Sequence, residues 1–345
     1  MKAVYDQAHW QRHPSTELDG GQLVTPYESP QRAEYVKTSV TEAAIVDWLP
    51  PKDFGLATIT RVHDPDYIDF LASCWQQWQD TGKPGEAIPA VWPARRMQQV
   101  VPQDIDGKLG YYSFAAETSI SGGTWEAAYA SSQVALTAAE VVLGGESAFG
   151  LCRPPGHHAA YDYYGGYCFI NNAAVCAQYF RDKGDAKVAI LDIDFHHGNG
   201  TQDIFYQRDD VHFFSLHGDP ALVFPHFTGY ENERGAGAGE GANRNWVYGP
   251  GTPFSQWQHG LSEALRLIEQ GGFDRLIISL GVDTFEHDPI SFFKLTSDDY
   301  LKVGEVIAQA SLPTLFLLEG GYAVDAIGVN VANVLKGFKQ ALKNE

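Results

Sequence analysis

The stretch Lys187-Val-Ala-Ile-Leu-Asp-Ile-Asp194-Phe-His196 combines a nearly continuous apolar run with polar side chains at its end. Such a run is typical of a strand that is buried on both faces, as in a parallel sheet. Shorter or similar runs occupy residues 148–152, 210–217, 275–283 and 313–321, and segments with helical spacing occupy 124–143, 256–269, 297–310 and 325–342. This alternation of strands and helices, without internal repeats or linkers, predicts a single α/β domain over residues 1–345.

Residues 82–110 differ from the rest of the chain because they carry four prolines and show no periodicity. A structureless loop of this length in a compact domain is usually functional or disordered. Its apolar residues, among them Trp92 and Met97, argue against simple disorder. We therefore expect a lid or an oligomerisation arm.

The charge balance narrows the classes of partner. Twenty-four basic and 43 acidic residues give a net charge of -19, which repels nucleic-acid phosphates and is compatible with a small cationic substrate. No apolar run approaches the length of a membrane span, and the first residues lack a signal-like apolar stretch. We expect a cytoplasmic protein that binds neither nucleic acid nor membrane.

Polar residues at the ends of two predicted strands indicate a metal site. Asp194 and His196 follow one predicted strand, and Asp283 ends the predicted strand 275–283. The carboxyl ends of both strands should lie at the same edge of the sheet, where parallel α/β proteins form their binding sites. Three protein ligands and an open position are what a catalytic zinc ion requires. Oxygen and nitrogen ligands also suit Fe²⁺, Co²⁺ or Mn²⁺.

Two further motifs carry acid–base and oxyanion chemistry. A Pro-Pro-Gly turn presents His157 and His158 after the predicted strand 148–152, and adjacent imidazoles suit proton transfer near neutral pH. Glu319-Gly-Gly-Tyr322 follows the last predicted strand, and the tyrosine hydroxyl there can donate to an oxyanion. Asp192 and Asn199 are available to orient the imidazoles.

Taken together, these motifs resemble the histone deacetylase superfamily, whose fold is a three-layer αβα arrangement of the arginase-deacetylase type. The matching pieces are RPPGHHA at 153–159, GGYCFINN at 165–172, LDIDFHHGNGT at 191–201, SLH at 215–217, GVDT at 281–284 and EGGY at 319–322. The upstream His63-Asp-Pro-Asp-Tyr67 also looks like the family's His-x-x-x-Tyr. A chance match of so many motifs in sequence order is very improbable.

The resemblance implies that Asp194, His196 and Asp283 bind Zn²⁺. It also implies that zinc-activated water attacks an acetyl carbonyl, which Tyr322 polarises.

By the same resemblance, His158 is general base and then acid, and His157 provides electrostatic help. Asp192 pairs with His157 and Asn199 pairs with His158. Many relatives have aspartate at the position of Asn199, so an uncharged amide here implies a less basic His158.

The resemblance also supplies a substrate tunnel and a second cation. The implied tunnel residues are Gly166, Tyr167, Phe224 and Ile290. A monovalent cation, K⁺ or Na⁺, is implied at Asp192, Asp194, His196, Ser215 and Leu216.

Within the superfamily, the chain looks most like the bacterial acetylpolyamine amidohydrolases. The likeness rests on the 82–110 insertion, on the Tyr-Tyr-Ser-Phe and Glu117 that follow it, and on an N-terminal stretch with Glu17, Asp19 and Gly20-Gly21. A comparable loop in that group packs across a homodimer and narrows the tunnel. Glu117 and Asp106 are the acids expected to bind the distal ammonium groups of a small acetylated amine.

Two alternatives stay open at this point. An acetyl-lysine deacetylase acting on proteins would need a shallower, more open tunnel than the long loop suggests. A non-catalytic metal or acyl-ligand binding module would not need His157, His158 and Tyr322 together. An arginase-type hydrolase would need more ligands for a two-metal cluster than this chain offers.

Overall fold

The computed structural model describes residues 1–343, and at its centre lies a sheet of eight parallel strands. The strands in chain order are β1 (Lys2–Val4), β2 (Glu17–Asp19), β3 (Gln22–Val24), β4 (Asp47–Leu49), β5 (Ala148–Gly150), β6 (Val188–Asp192), β7 (Val211–Gly218), β8 (Asn243–Tyr248), β9 (Arg275–Leu280) and β10 (Thr314–Leu318). The order across the sheet is β4-β1-β5-β10-β9-β6-β7-β8, while β2 and β3 form a separate antiparallel hairpin. Strands β5, β10, β9 and β6 are therefore consecutive neighbours at its middle.

Helices cover both faces of this sheet. They are α1 (Pro30–Glu42), α2 (Leu56–Ile59), α3 (Pro65–Asp80), α4 (Ile105–Tyr111), α5 (Thr124–Leu143), α6 (Asn172–Asp182), α7 (Asn199–Phe205), α8 (Phe254–Gln270), α9 (Asp299–Ala308) and α10 (Val324–Ala341), with short 3₁₀ turns at Gln7–Gln11 and Gly237–Gly239. Alternate residues of β6 face opposite cores: Ala189 and Leu191 pack with α1, α8, α9 and α10, whereas Val188 and Ile190 pack with α3, α5 and α6. The predicted three-layer α/β fold is confirmed, and every pairing in the central sheet is parallel.

The observed strands end earlier than the sequence predicts. Strand β6 ends at Asp192, β9 at Leu280 and β10 at Leu318, so the polar residues that follow lie in loops. The side chain of Asp194 is therefore placed by a turn and not by strand alternation.

Segment 82–110 has more structure than we expected. It contains α4, whose start is capped by the Asp104 carboxylate, which accepts from the amide of Asp106 at 2.9 Å. The indole of Trp92 donates to Ser113 at 3.0 Å, so this ring is tied to its own chain. Met97, by contrast, is 60% exposed. No helix in residues 1–343 is both long and apolar enough to cross a membrane.

A buried charge cluster joins the N-terminal segment to the loops above the sheet. Glu28 is 1% exposed and pairs with Arg153 at 2.7 Å, Arg32 at 3.1 Å and Arg12 at 3.9 Å. Burial favours the neutral acid, but the three guanidinium groups outweigh it and lower the pKa of Glu28. This carboxylate is the shared counter-ion of three buried cations.

We predict that Glu28→Ala destabilises the fold by about 3–5 kcal/mol, because buried guanidinium groups lose their counter-ion. Urea unfolding followed by circular dichroism measures the effect. Glu146→Ala removes the same charge from an exposed site and should change stability by less than about 0.5 kcal/mol. If the alanine variant does not accumulate, Glu28→Gln should still show a clear loss. Equal stability of Glu28→Gln and wild type would contradict this role.

Candidate active site

The chemically active side chains come from the carboxyl ends of the four middle strands. His158 follows β5, Tyr322 follows β10, Asp283 follows β9 and Asp194 follows β6. Because these strands are parallel neighbours, their ends meet at one edge of the sheet, where α/β proteins build their sites.

Asp194, His196 and Asp283 form a compact set of metal-capable donors. One donor atom from each lies within 4.8 Å of the others, and the imidazole Nδ1 is 3.0 Å from Asp283 and 3.5 Å from Asp194. Both carboxylates are fully buried. Burial, and after it the charge of Asp194, raises the pKa of Asp283 to about 8.

The backbone around these donors leaves room for an ion. Gly320 donates its amide to Asp194 at 2.7 Å, and a Cβ at this glycine would lie 2.6 Å from an oxygen of Asp194 and of Asp283. Two buried carboxylates that repel each other are stabilised by a divalent cation, and nitrogen–oxygen donor sets suit zinc and its neighbours. The three residues therefore fit a divalent metal.

A second metal-capable group, His157, Cys168 and Glu319, lies nearby. Two of its donor atoms already have protein partners: the thiol donates to the Gly166 carbonyl at 3.3 Å, and one Glu319 oxygen accepts hydrogen bonds from two backbone amides. Burial raises the pKa of Cys168 well above its usual value, which disfavours the thiolate that binds metal. The trio at Asp194 is the better metal site.

The two adjacent imidazoles have different partners. His157 Nδ1 is 2.9 Å from Asp192, whereas His158 Nδ1 is 2.6 Å from the amide oxygen of Asn199. Burial works against an imidazolium, but Asp192 outweighs it and raises the pKa of His157 to about 10. Burial, and after it the charge on His157, lowers the pKa of His158 well below its usual value. His157 is thus held charged while His158 is held neutral and able to accept a proton.

Tyr322 is held by contacts to its ring and by a hydrogen bond from its backbone amide. The Arg32 guanidinium lies 4.7 Å from the ring centroid, and the Tyr167 ring lies 5.5 Å away. The Tyr322 amide donates to Asp288 at 2.7 Å. Burial raises the pKa of the phenol well above its usual value, so the hydroxyl keeps its proton and remains a donor.

These groups open onto a cavity of about 390 Å³. Its lining includes all four predicted tunnel residues, Gly166, Tyr167, Phe224 and Ile290, together with His158, His196, Tyr322 and Glu117. Gly166 has φ of 56°, and a Cβ there would overlap the His158 ring, so only glycine allows this close approach. The Phe224 ring lies 5.1 Å from the His158 ring.

The two acids predicted to bind substrate have different surroundings. Glu117 lines the cavity, and its Oε1 also accepts from the Gly166 amide at 2.8 Å and from Thr118 at 2.9 Å. Asp106 lies on α4, pairs with Lys83 and does not line the cavity of its own chain. A role for Asp106 at the substrate stays a prediction.

Three of the five residues predicted for a monovalent cation, Asp192, Ser215 and Leu216, lie on neighbouring strands of the sheet. Ser215 of β7 pairs in register with Asp192 of β6, and Leu216 follows it in the buried interior. The cation itself stays a prediction.

Several contributing residues were not predicted from the sequence. Glu319 belongs to the quoted EGGY motif, and its carboxylate accepts from the amides of Gly156 at 2.7 Å and His157 at 3.2 Å, which fixes the histidine turn. Asp288 anchors the Tyr322 loop, and Glu17 lines the cavity from the β2–β3 hairpin. Glu17 lies in the N-terminal stretch that contributes to the family likeness, but no role was predicted for it or for Asp288.

Comparison with known proteins gives consistent matches over nearly the whole chain. Residues 26–338 match the family described as "Histone deacetylase domain". Acetylpolyamine amidohydrolase of Mycoplana ramosa is 54% identical, covering 98% of this chain and 99% of its own length. Acetylpolyamine amidohydrolase 2 of Pseudomonas aeruginosa is 50% identical with the same coverage. The crystal structure of acetylpolyamine aminohydrolase from Burkholderia pseudomallei superposes with a TM-score of 0.94 at 35% identity, covering 99% of both chains.

We predict that Asp194→Ala and Asp283→Ala each abolish stable metal binding, because a ligand and its charge disappear. The loss should exceed the roughly 10–100-fold that outer-shell substitutions cost. Elemental analysis of purified protein after dialysis measures it. Asp209→Ala removes an exposed aspartate and should leave the metal content unchanged. Full metal occupancy in either ligand variant would reject the assignment.

Proposed function

Because the chain belongs to the histone deacetylase family, we propose that it hydrolyses the acetamide of small acetylated polyamines or diamines in a zinc-dependent reaction. The observation that carries this proposal is the convergence of a metal-capable trio, a neutral imidazole and a protonated phenol at one cavity. A binding module needs no such combination of base, acid and oxyanion donor.

In the proposed site, Asp194, His196 and Asp283 hold the metal. A bound divalent ion would supply a Lewis acid that polarises a carbonyl and makes water more acidic. Fe²⁺ or Co²⁺ would supply the same chemistry with the same donors.

Separate side chains transfer the proton, stabilise the oxyanion and supply positive potential. Neutral His158 takes the proton from the attacking water and later gives it to the leaving amine, while Asn199 holds its ring. Tyr322 donates a hydrogen bond to the oxyanion that develops on the acetyl carbonyl. His157, charged through Asp192, adds positive potential beside that developing charge. Acetate and a free amine are the products.

The relatives and the acidic charge of the protein both support a polyamine as the substrate. The relatives named above are acetylpolyamine amidohydrolases over nearly their full lengths. Glu117 lies on the cavity wall, where it can meet an ammonium group beyond the acetamide. The net charge of -19 also attracts a polycation during encounter.

We further propose that the protein is a homodimer whose interface includes segment 82–110. Met97, Val100 and Val101 are about half exposed or more, and such apolar side chains grouped on one loop favour burial by a partner. Trp92 does not support this interface, because its indole donates a hydrogen bond to Ser113 of its own chain. Asp106 would reach a tunnel mouth only in such an assembly.

Tyr322→Phe should keep the metal and the fold but lower kcat by roughly 10²–10³, because one oxyanion donor is lost. Steady-state kinetics on an acetylated diamine, together with metal analysis, tests this. His158→Ala should lower kcat more than His157→Ala does. Unchanged kcat in Tyr322→Phe would make the phenol structural, and the reverse order of the histidine variants would reject their assigned roles.

Acetylated polyamines should be better substrates than acetyl-lysine peptides, as judged by kcat/KM. Glu117→Gln keeps an acceptor for the Gly166 amide but removes the charge, so KM should rise roughly two- to fivefold for a cationic substrate and not for a neutral N-alkylacetamide of equal length. Glu126→Gln on the exposed face of α5 is the matched control. Equal or higher kcat/KM on acetyl-lysine peptides would favour the protein-deacetylase alternative.

The dimer should be visible by sedimentation velocity at micromolar concentration. Met97→Glu should shift the protein toward monomer, because a charge would be buried in the interface. Leu56→Glu changes an exposed leucine outside the segment and should leave the dimer intact. A fully active wild-type monomer would overturn the proposal.

A further inference from the structure

Gln202 carries a buried amide that the reaction described above does not use. It lies on α7, one turn after Asn199, and is 5% exposed. Its side-chain oxygen accepts from Asn243 at 2.9 Å and from Asn245 at 3.0 Å, and it lies 3.1 Å from Nε2 of His197. This oxygen therefore joins α7 to the edge strand β8 and to the loop that follows β6.

The nitrogen of the same amide is bonded to the long loop between β7 and β8, residues 219–242. It donates to Glu233 at 2.6 Å and to Thr228 at 2.8 Å. The same Glu233 oxygen also accepts from the Thr228 hydroxyl at 2.9 Å and from the Gly229 amide at 2.7 Å. Glu233 thereby closes residues 228–233 into a turn and ties this turn to α7.

The turn 228–233 packs directly on two buried histidines. The Gly229 carbonyl lies 2.7 Å from Nε2 of His217. Gly229 has φ of 106°, and a Cβ there would lie 2.7 Å from the His197 ring. Only glycine allows this approach, so the turn has little freedom to shift while its bonds to α7 are intact.

The loop held in this way carries Phe224 upstream of the turn. The Phe224 ring lies 5.1 Å from the His158 ring and 6.2 Å from the His196 ring, and it lines the active-site cavity. A phenyl ring has no strong hydrogen-bonding group, so its position depends on packing and on the backbone of its loop. The bonds of Gln202 and Glu233 restrain that backbone.

We propose that Gln202 and Glu233 are positioning residues whose shared hydrogen bond holds Phe224 against the ring of His158. The inference rests on the proposed function, in which His158 transfers the proton, and it gives the loop 219–242 a defined part in that reaction. Neither residue is among the described residues that line the cavity, so both act through Phe224.

The amide of Gln202 cannot become a carboxylate without a conflict. An amide nitrogen brings two donors, whereas an ionised carboxylate has only acceptors. In Gln202→Glu, an oxygen therefore faces the Glu233 carboxylate where a hydrogen bond of 2.6 Å now lies, and the two negative charges repel each other. The turn should separate from α7, and Phe224 should lose its fixed position.

Exchanging the two side chains tests their shared bond. Gln202→Glu should lower kcat/KM for an acetylated diamine roughly 10- to 100-fold, because small displacements beside reacting groups have effects of this size. The double variant Gln202→Glu/Glu233→Gln restores a donor and an acceptor with reversed polarity and should recover most of the loss. Glu231→Gln changes an exposed glutamate of the same loop and should leave kcat/KM unchanged. An unaffected single variant, or a double variant without recovery, would contradict the inference.

A second comparison tests whether the effect passes through Phe224. In a Phe224→Ala background, adding Gln202→Glu should change kcat/KM less than about twofold, since the ring to be positioned is already gone. An equal loss in both backgrounds would mean general structural support and reject the positioning role. Metal content should stay at the wild-type value, because a loss of metal would place the effect on the loop of His196 instead.

Hydrogen–deuterium exchange separates this inference from the proposed function, since it requires no substrate. Peptides that cover residues 219–233 should exchange faster in Gln202→Glu than in the wild type or the double variant. If exchange rises while kcat/KM keeps its wild-type value, the proposed function stands and the positioning role is wrong. If the wild type hydrolyses no acetylated amine, the proposed function fails, and the positioning role fails with it even when the exchange rates differ.

Discussion

Two carboxylates, Asp194 and Asp283, lie buried beside each other at the carboxyl edge of the sheet, and their repulsion is the constraint on which the rest of the site depends. Burial, and after it this repulsion, raises the pKa of Asp283 to about 8. A divalent ion removes the conflict, and Gly320 leaves the space that both carboxylates need to approach it. The fold produces this pair simply because β6 and β9 are parallel neighbours.

The two adjacent histidines differ in charge because their hydrogen-bond partners differ. A carboxylate partner holds His157 charged, and an amide partner beside that charge holds His158 neutral. Of the two imidazoles, His157 therefore supplies positive charge, and His158 can act as a base. Glu319 and Asp288 accept hydrogen bonds from backbone amides of the loops that carry His157 and Tyr322. These two buried acids therefore fix the positions of the loops around the site.

Much of this arrangement could be predicted from the sequence, because strand ends in a parallel sheet must converge. The apolar runs located β5, β6, β7, β9 and β10, whereas β1 to β4 and β8 were not predicted. Helix α5 was predicted with its observed limits. Strand ends were less accurate, since apolar character continues into loops that turn toward the site. Helix α4 was missed because its seven residues lack helical periodicity. Glu17 and the partner of Asp106 depend on contacts between segments distant along the chain, which local patterns do not encode.

The central claim, that Asp194, His196 and Asp283 hold the metal, is tested most directly by X-ray absorption at the zinc edge of the loaded protein. The account predicts a first shell of nitrogen and oxygen only, at about 2.0–2.2 Å. A sulfur scatterer at about 2.3 Å would instead place the ion at His157, Cys168 and Glu319, and would contradict the account.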